Sequence, residues 1–281
     1  LLIPRRTRSQ FAGRPIFQTT NPQAFNARFW YRSPRIDRWA FPQSFFLADS
    51  NRQGRSLPLV TTQLSLMFDD HASESCLSPA IVAAVAELST VSDPNSRGAI
   101  FTRREVVEFI LDLVGYTANC PLFESRMLEP SFGGGDFLLL IVQRLLDSWK
   151  NAGNPDSALV SLGDSIRAVE LHVDSFDSTR TQISELLRRQ GIASRTATAL
   201  VNRWLCQDDY LLADLDGKFD FVVGNPPYLR QEMIPNTLLE EYRKRYSTMY
   251  DRADLYIPFI QRSLEMLNTG GLLGFICADR W

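Results

Sequence analysis

The sequence predicts an α/β fold: a mostly parallel sheet with helices on both faces, preceded by an irregular or helical N-terminal extension. Two short apolar runs, at 219–224 and 272–277, are typical of buried parallel strands because they are rich in β-branched, aromatic and aliphatic residues. A glycine loop at 133–135 separates a predicted strand from an apolar-striped helix, which is the βα turn of a doubly wound sheet. At 281 residues, the chain is long enough for one such domain with an extension.

Composition excludes several classes of protein. The hydrophobic content of 44% and the charged content of 22% are ordinary for a soluble globular protein. No run of 18 apolar residues predicts a membrane span, and the N-terminus lacks the apolar core of a signal peptide. The four cysteines have no paired spacing, which predicts reduced thiols in a cytoplasmic protein and argues against a zinc site.

The chain divides into three predicted segments. Residues 1–57 form a basic, aromatic-rich extension, and the first 60 residues contain ten Arg, two Asp and no Lys. This extension could bind nucleic acid through arginines and stacking rings; because no period is sustained, packing on a neighbour or disorder is favoured. Residues 58–97 form a helical lead-in and linker, with a helix at 79–88 that begins after Ser78 as N-cap. Residues 98–281 form the α/β domain.

A second helix is predicted after Thr102. Thr102 fits the N-cap position and Glu105 the third helical position, which together make a capping box. The turn at Phe101 and Thr102 could hold an anionic or planar ligand group at the helix N-terminus. A capped core helix explains this segment equally well without a ligand. The stripe predicted to face the core consists of Val106, Phe109, Ile110 and Leu113.

The glycine loop carries acidic residues on both sides, Glu129 and Asp136. It departs from the dinucleotide fingerprint and lacks the Lys-Ser/Thr ending of a P-loop. The two acids would repel a pyrophosphate, whereas a ligand with a cationic amino-acid part would be attracted. The loop therefore favours S-adenosylmethionine over NAD or ATP.

Two further predicted strands end in carboxylates. A strand beginning at Ile166 ends at Glu170, whose carboxylate could accept both ribose hydroxyls of an adenosyl group. A third strand ends near Asp209, which could accept the adenine amine, and Tyr210 could lie against the adenine ring. His172 has no other metal ligand at suitable spacing, so it is interpreted as a surface or core histidine, and no metal site is predicted.

Helical periodicity completes the two outer layers of the predicted sheet. The first two of the remaining helices are separated by Gly191, and the last is predicted to stop at the turn 268–271. The predicted helices lie at 178–190, 193–204, 237–246 and 251–267.

The segment Asn225-Pro226-Pro227-Tyr228 directly follows the strand at 219–224, at the edge where open α/β sheets bind ligands. Its two prolines make the loop stiff. The Asn225 carboxamide oxygen and the Pro226 carbonyl could accept the two N–H groups of an exocyclic amine, while Tyr228 stacks on the ring. Such acceptance would make the nitrogen lone pair more available to a methyl donor. A proline-rich surface turn is the alternative interpretation of these four residues alone.

Taken in order, these motifs resemble the gamma-type N6-adenine DNA methyltransferases, in the Eco57I-like branch of restriction–modification enzymes. The resemblance implies a Rossmann-like class I S-adenosylmethionine-dependent methyltransferase domain at 98–281. It also implies that the family's last strands and target-recognition domain would follow Trp281, which would leave an exposed sheet edge. The matching motifs are Phe101-Thr102, the loop 129–137, Glu170, Asp209-Tyr210-Leu211 and Asn225-Pro226-Pro227-Tyr228.

The resemblance also implies residue roles. A flipped adenine would be held by the catalytic residues Asn225, Pro226, Pro227 and Tyr228, because a stacked base cannot meet the methyl group in line. Tyr210 stands where the family usually has Phe. The implied partners are double-stranded DNA and a restriction endonuclease or specificity partner, with no membrane. The implied S-adenosylmethionine-binding residues are Phe101, Thr102, Glu129, Pro130, Phe132, Gly133, Gly135, Glu170, Asp209 and Tyr210.

Other interpretations stay open at this point. Release-factor glutamine methyltransferases and some ribosomal RNA guanine methyltransferases also use Asn-Pro-Pro-Tyr, although the Phe101-Thr102 segment and the glycine loop favour DNA. A cytosine-N4 enzyme is less favoured, since such enzymes more often have Ser in place of Asn225. A non-catalytic fragment that binds the cofactor or DNA is the alternative from a different class.

Overall fold

A computed structural model of the chain describes residues 29–32, 77–91, 98, 101–250 and 253–277. These residues belong to one compact unit. Apart from the strand at 29–32, the predictions for the basic extension lie outside the described residues, as do those for the lead-in up to residue 76.

Six strands form one sheet in the order β1-β6-β5-β2-β3-β4. Strands β2 to β6 pair in parallel, whereas β1 is antiparallel to β6. The predicted exposed edge is therefore wrong for β6, because a strand from the extension pairs with it. The strands are β1 Phe29–Arg32, β2 Met127–Glu129, β3 Ile166–Glu170, β4 Leu205–Gln207, β5 Phe219–Gly224 and β6 Leu267–Phe275.

Eight α-helices are described, and the first of them begins as predicted. The Ser78 hydroxyl accepts a hydrogen bond from the Ile81 amide at 3.4 Å, and Pro79 occupies the first turn. No helix within the described ranges has the length and apolarity needed to cross a bilayer. The helices are α1 Pro79–Ser89, α2 Arg104–Leu113, α3 Asp136–Asn151, α4 Ala158–Leu162, α5 Val173–Arg189, α6 Ser194–Trp204, α7 Asn236–Arg245 and α8 Tyr256–Met266.

Helices cover both faces of the sheet, as the alternation of side chains along each strand shows. Met127 of β2 packs in a core with helices α2 to α6. The next residue, Leu128, packs in a second core with α1, α7 and α8. Both residues are fully buried. This two-faced parallel sheet confirms the predicted fold class.

The predicted capping box on α2 is wrong. The helix begins at Arg104, and Arg103 is its N-cap residue, without a side-chain hydrogen bond to the helix. The Thr102 amide instead donates to Asp136 Oδ2 at 2.7 Å. Thr102 is therefore used to connect two loops and not to cap its own helix.

The predicted core stripe on α2 is also largely wrong. Val106, Phe109 and Leu113 are exposed by 40–45%, whereas Val107 and Leu111 are fully buried together with the correctly predicted Ile110. Both sets of residues have helical spacing, because apolar residues lie on two adjacent faces of this helix. Packing against α3 selects between the two faces, and α2 alone does not contain that information.

The predicted turn at 268–271 is part of β6 instead. The strand begins directly after α8, and Gly270 adopts φ of 84°, a conformation that glycine accommodates without a Cβ penalty. The pairing of β5 with β6 shifts register between Phe219 and Phe221. The two glycines, which were predicted to end the helix, therefore lie at a local irregularity within the strand.

The two buried indoles of the first core provide a matched pair for a stability test. Trp204 Nε1 donates to the Leu162 carbonyl at 2.9 Å, whereas Trp149 Nε1 has no partner among the described residues. We expect Trp204→Phe to lower the free energy of unfolding by about 1 kcal/mol more than Trp149→Phe, because only Trp204→Phe removes a buried hydrogen bond. Urea unfolding followed by far-UV circular dichroism measures both values. Equal losses would contradict this assignment.

Candidate active site

A cavity of about 290 Å³ opens at the carboxyl ends of the parallel strands. Glu129 and Glu170 end β2 and β3, Asn225 follows β5, and all three residues line the cavity. Strand β2 lies between β5 and β3, so the chain runs to opposite sides of β2 in its two halves. This is the switch point at which α/β sheets open a crevice for ligands.

Most of the predicted site residues line this cavity together. Gly135, Pro226 and Tyr228 do not line it. The predicted residues that do are Phe101, Thr102, Glu129, Pro130, Phe132, Gly133, Glu170, Asp209, Tyr210, Asn225 and Pro227.

The carboxylate of Glu170 holds the glycine loop against β3. Its Oε2 accepts a hydrogen bond from the Gly133 amide at 2.7 Å, and its Oε1 accepts one from the His172 amide at 2.8 Å. The Thr179 hydroxyl of α5 donates to the Gly133 carbonyl at 2.9 Å. The loop is therefore fixed on both sides, and the contact of Glu170 with a ribose stays a prediction.

Gly135 serves the start of α3. It is the N-cap residue of this helix and adopts φ of 88°. A Cβ atom at this position would lie 2.9 Å from the Thr179 Cγ2 atom, and Thr179 is fully buried. Gly135 thus allows a tight turn and the close approach of α5, and its predicted contact with a cofactor stays a prediction.

Hydrogen bonds join Asn225 to the two other loops of the site. Asn225 Nδ2 donates to the Thr102 hydroxyl at 3.2 Å, and the Ser131 hydroxyl donates to the Asn225 carbonyl at 3.2 Å. Thr102 is held in turn by Asp136 through its backbone amide. The position of the Asn225 side chain therefore depends on residues more than 90 positions away in sequence.

Tyr228 is half-buried beside the cavity. Its hydroxyl donates to the Ile276 carbonyl at 2.9 Å, and its ring centroid lies 5.9 Å from that of Tyr256. Its amide donates to the Gly98 carbonyl at 3.1 Å. Burial raises the pKa of the Tyr228 phenol above its usual value, so the ring stays neutral. Pro226 is buried.

Carboxyl groups dominate the polar lining of the cavity. The lining residues include Glu129, Asp136, Glu170, Asp208 and Asp209, and no Lys or Arg occurs among those the structure describes. Burial raises the pKa of Glu129 well above its usual range, and the charges of Asp136 and Glu170 raise that pKa further. Glu129 Oε2 is buried without a hydrogen-bond partner in the described part of the chain. The site therefore attracts a cation.

The carboxylate of Asp209 lies at the end of β4 and already has two donors. Its Oδ1 accepts a hydrogen bond from the Leu211 amide at 2.8 Å, and its Oδ2 accepts one from the Tyr242 hydroxyl. Burial raises the pKa of Asp209 to about 6. The Tyr210 ring packs 4.9 Å from the Phe259 ring, so its contact with an adenine stays a prediction.

Several residues that line the cavity were not predicted as site residues from sequence. Ser131 and Asp208 are adjacent in sequence to predicted motif residues, and this adjacency could have identified them as site residues. His172, interpreted as a surface or core histidine, lies on the cavity wall. Tyr242 also lines the cavity, but it comes from α7, a helix that no local pattern connects with the site.

The fold and the site define an S-adenosylmethionine-dependent methyltransferase: a parallel α/β sheet with an acidic, glycine-lined cavity and an Asn-Pro-Pro-Tyr loop at its carboxyl edge. The sequence model of the Eco57I restriction-modification methylase family matches residues 135–281, about half of the chain. The chain belongs to this family, as its motifs predicted. Family and fold together imply S-adenosylmethionine as the methyl donor.

Individual relatives agree with this assignment. The chain is 62% identical over 201 residues to the type II methyltransferase M.PaeR7I of Pseudomonas aeruginosa. The aligned region covers 72% of this chain and 35% of that protein. The chain is 53% identical over 189 residues to the type II methyltransferase M.XhoI of Xanthomonas vasicola, covering 67% and 35%. A release factor glutamine methyltransferase of Clostridium botulinum is 36% identical over 63 residues, covering 21% and 22%. The chain thus spans about a third of the length of the two type II methyltransferases.

Two glycines separate the effect of backbone strain from that of close packing in the site. Gly153 has φ of 79° with nothing within 4 Å of a Cβ position, whereas a Cβ at Gly135 would meet buried Thr179. We expect Gly153→Ala to cost about 1 kcal/mol of stability from strain alone. Gly135→Ala should cost roughly 1–3 kcal/mol more because of the clash. Chemical denaturation measures both variants, and equal costs would show that Thr179 yields to the new methyl group.

Proposed function

We propose that this chain carries the cofactor-binding and catalytic part of a DNA adenine-N6 methyltransferase of a restriction–modification system. The observation that carries this proposal is the position of Asn225, held by Thr102 at the wall of an acidic cavity. A carboxamide beside a site for a cationic methyl donor suits methylation of an exocyclic amine. The similarity to type II methyltransferases and to the restriction-modification methylase family supports DNA as the substrate.

The residues of the cavity fit S-adenosylmethionine. The cofactor carries an ammonium and a sulfonium group, and the buried Glu129 Oε2 provides an acceptor that has no partner among the described residues. The Glu170 carboxylate would accept ribose hydroxyls, and the Asp209 carboxylate would accept the adenine amine. The Phe101 side chain is 83% exposed and lies next to the glycine loop, with its Cε1 atom 3.6 Å from a Cβ built on Gly134. It would cover the bound ligand.

S-adenosylmethionine supplies an electrophilic methyl group when bound, and the chain's own residues orient the amine. Thr102 accepts a hydrogen bond from Asn225 Nδ2, which determines the orientation of the carboxamide and leaves Oδ1 as its acceptor. This oxygen and the Pro226 carbonyl would accept the two amine hydrogens of a flipped adenine. The neutral Tyr228 ring, held by Ile276 and Tyr256, would face the base. Orientation and hydrogen bonding then account for the catalysis.

A restriction endonuclease that shares the target sequence is the proposed biological partner. The alternative, a glutamine methyltransferase, is supported by the same Asn-Pro-Pro-Tyr loop and by the short similarity to the release factor enzyme. DNA is favoured because the type II methyltransferases match about two thirds or more of the chain, whereas the glutamine enzyme matches a fifth.

The identity of the methylated product tests the proposed function. The chain is incubated with radiolabelled S-adenosylmethionine and either mixed-sequence duplex DNA or a glutamine-containing peptide. We expect label in N6-methyladenine, and we expect Asn225→Ala to reduce transfer by about 100-fold or more because an orienting acceptor is lost. The exposed Asn236→Ala is the matched control and should keep the wild-type rate. Label in N4-methylcytosine or in the peptide would refute adenine-N6 methylation.

Protonation of Glu129 gives a separate test of the cofactor site. Burial and the neighbouring charges raise the pKa of Glu129 and so favour its protonated form in the unliganded site, whereas a cationic ligand favours the ionised form. Binding of S-adenosylmethionine should therefore release protons, and affinity should rise with pH. Calorimetry at pH 5–7 in two buffers of different ionisation enthalpy measures this release.

Two variants assign the released proton to Glu129. Glu129→Gln should reduce the release and weaken binding, because its neutral side chain cannot ionise, and the remaining release should come from Asp209, whose pKa burial also raises. The exposed Glu124→Gln should leave both quantities unchanged. Equal proton release by the wild type and Glu129→Gln would mean that another group titrates on binding.

A further inference from the structure

Asp209 depends on a residue from a distant helix. The Tyr242 hydroxyl of α7 donates to Asp209 Oδ2, and the two residues are 33 positions apart. The Leu211 amide donates to Oδ1 at 2.8 Å. One donor therefore binds each oxygen of a carboxylate that is only 4% exposed, which restricts its rotation about the Cβ–Cγ bond.

The arrangement leaves acceptor capacity toward the cavity. An ionised carboxylate has about four lone-pair sites, and the two protein donors occupy two of them. Both Asp209 and Tyr242 line the cavity. A ligand amine can thus meet the carboxylate without displacing either protein donor.

The surroundings of Asp209 make the Tyr242 hydroxyl important for its charge state. Burial raises the pKa of Asp209, and the hydrogen bond from Tyr242 is the largest effect that lowers it. The charge of Asp208 raises this pKa, whereas Arg262 of α8 lowers it. Tyr246, the residue directly after α7, donates to the Leu211 carbonyl at 2.5 Å and not to the Asp209 carboxylate.

We propose that Tyr242 is a positioning residue for the cofactor: its hydroxyl orients the Asp209 carboxylate to accept the exocyclic amine of the adenine ring. This inference rests on the proposed function, in which Asp209 contacts that amine. Because α7 follows the Asn-Pro-Pro-Tyr loop along the chain, Tyr242 also connects the segment after the catalytic loop with the adenine end of the cofactor site.

Two ligands that differ at one group test the proposal. S-adenosylhomocysteine carries the exocyclic amine, whereas S-inosylhomocysteine carries a carbonyl oxygen in its place. We expect Tyr242→Phe to weaken binding of S-adenosylhomocysteine about tenfold at pH 7, the size of one hydrogen bond, and to move the midpoint of its pH dependence upward. Binding of S-inosylhomocysteine should not change. Calorimetry from pH 5 to pH 9 measures both ligands.

Controls separate positioning from a general structural effect. Tyr246→Phe removes a neighbouring buried hydroxyl at the end of α7 and should leave the preference between the two ligands unchanged. In an Asp209→Ala background, Tyr242→Phe should have no further effect on binding, because the carboxylate through which Tyr242 acts is gone. Circular dichroism establishes that each variant is folded before binding is measured.

The outcomes distinguish this inference from the proposed function. Equal weakening of both ligands by Tyr242→Phe, or the same loss of preference in Tyr246→Phe, would overturn the role of Tyr242 while leaving the cofactor site in place. If the wild-type chain binds neither ligand, the proposed cofactor site is itself refuted, and the inference fails with it.

Discussion

The hydrogen bonds of Glu170 are the interaction on which the rest of the site depends. This carboxylate ends β3 and accepts the amides of Gly133 and His172, which belong to two different βα turns. Those turns lead into α3 and α5, the helices that cover one face of the sheet. Because one buried side chain sets the separation of both turns, it also sets the width of the cavity between them.

The cavity concentrates negative charge at a cost to the unliganded fold. Glu129 is buried between two other acids and has one oxygen without a partner in the described structure. Protonation lowers the free-energy cost of such a group, since burying an unpaired carboxylate is unfavourable. A cationic ligand removes this penalty, so the same feature that weakens the unliganded site contributes to the affinity for the cofactor.

Sequence patterns predicted the strands well, and they also found most of the loops that line the cavity, because both depend on short stretches of chain. The strand at 219–224 and the helix at 79–88 required only local composition and capping residues. The wrong predictions concern segments for which the local sequence is compatible with two different structures. Helix α2 has two adjacent apolar faces, either of which could face the core. The Thr102 hydroxyl could cap the helix, but in the structure the Thr102 amide donates a hydrogen bond to Asp136. The glycines at 270 and 271 could end a helix or interrupt a strand, and pairing with β5 decided in favour of the strand.

The sequence by itself determined the fold class, the order of the motifs and the chemistry of the loops. Apolar periodicity, glycine and proline determine the local backbone conformation, so their effects can be predicted from short stretches of chain. Only the tertiary structure decided which side chains meet. The link from Asn225 to Thr102 spans 123 positions, and that from Asp209 to Tyr242 spans 33. No local preference encodes such contacts. They arise because parallel strands bring their carboxyl ends to one edge of the sheet, and because the packing of α7 places Tyr242 beside that edge.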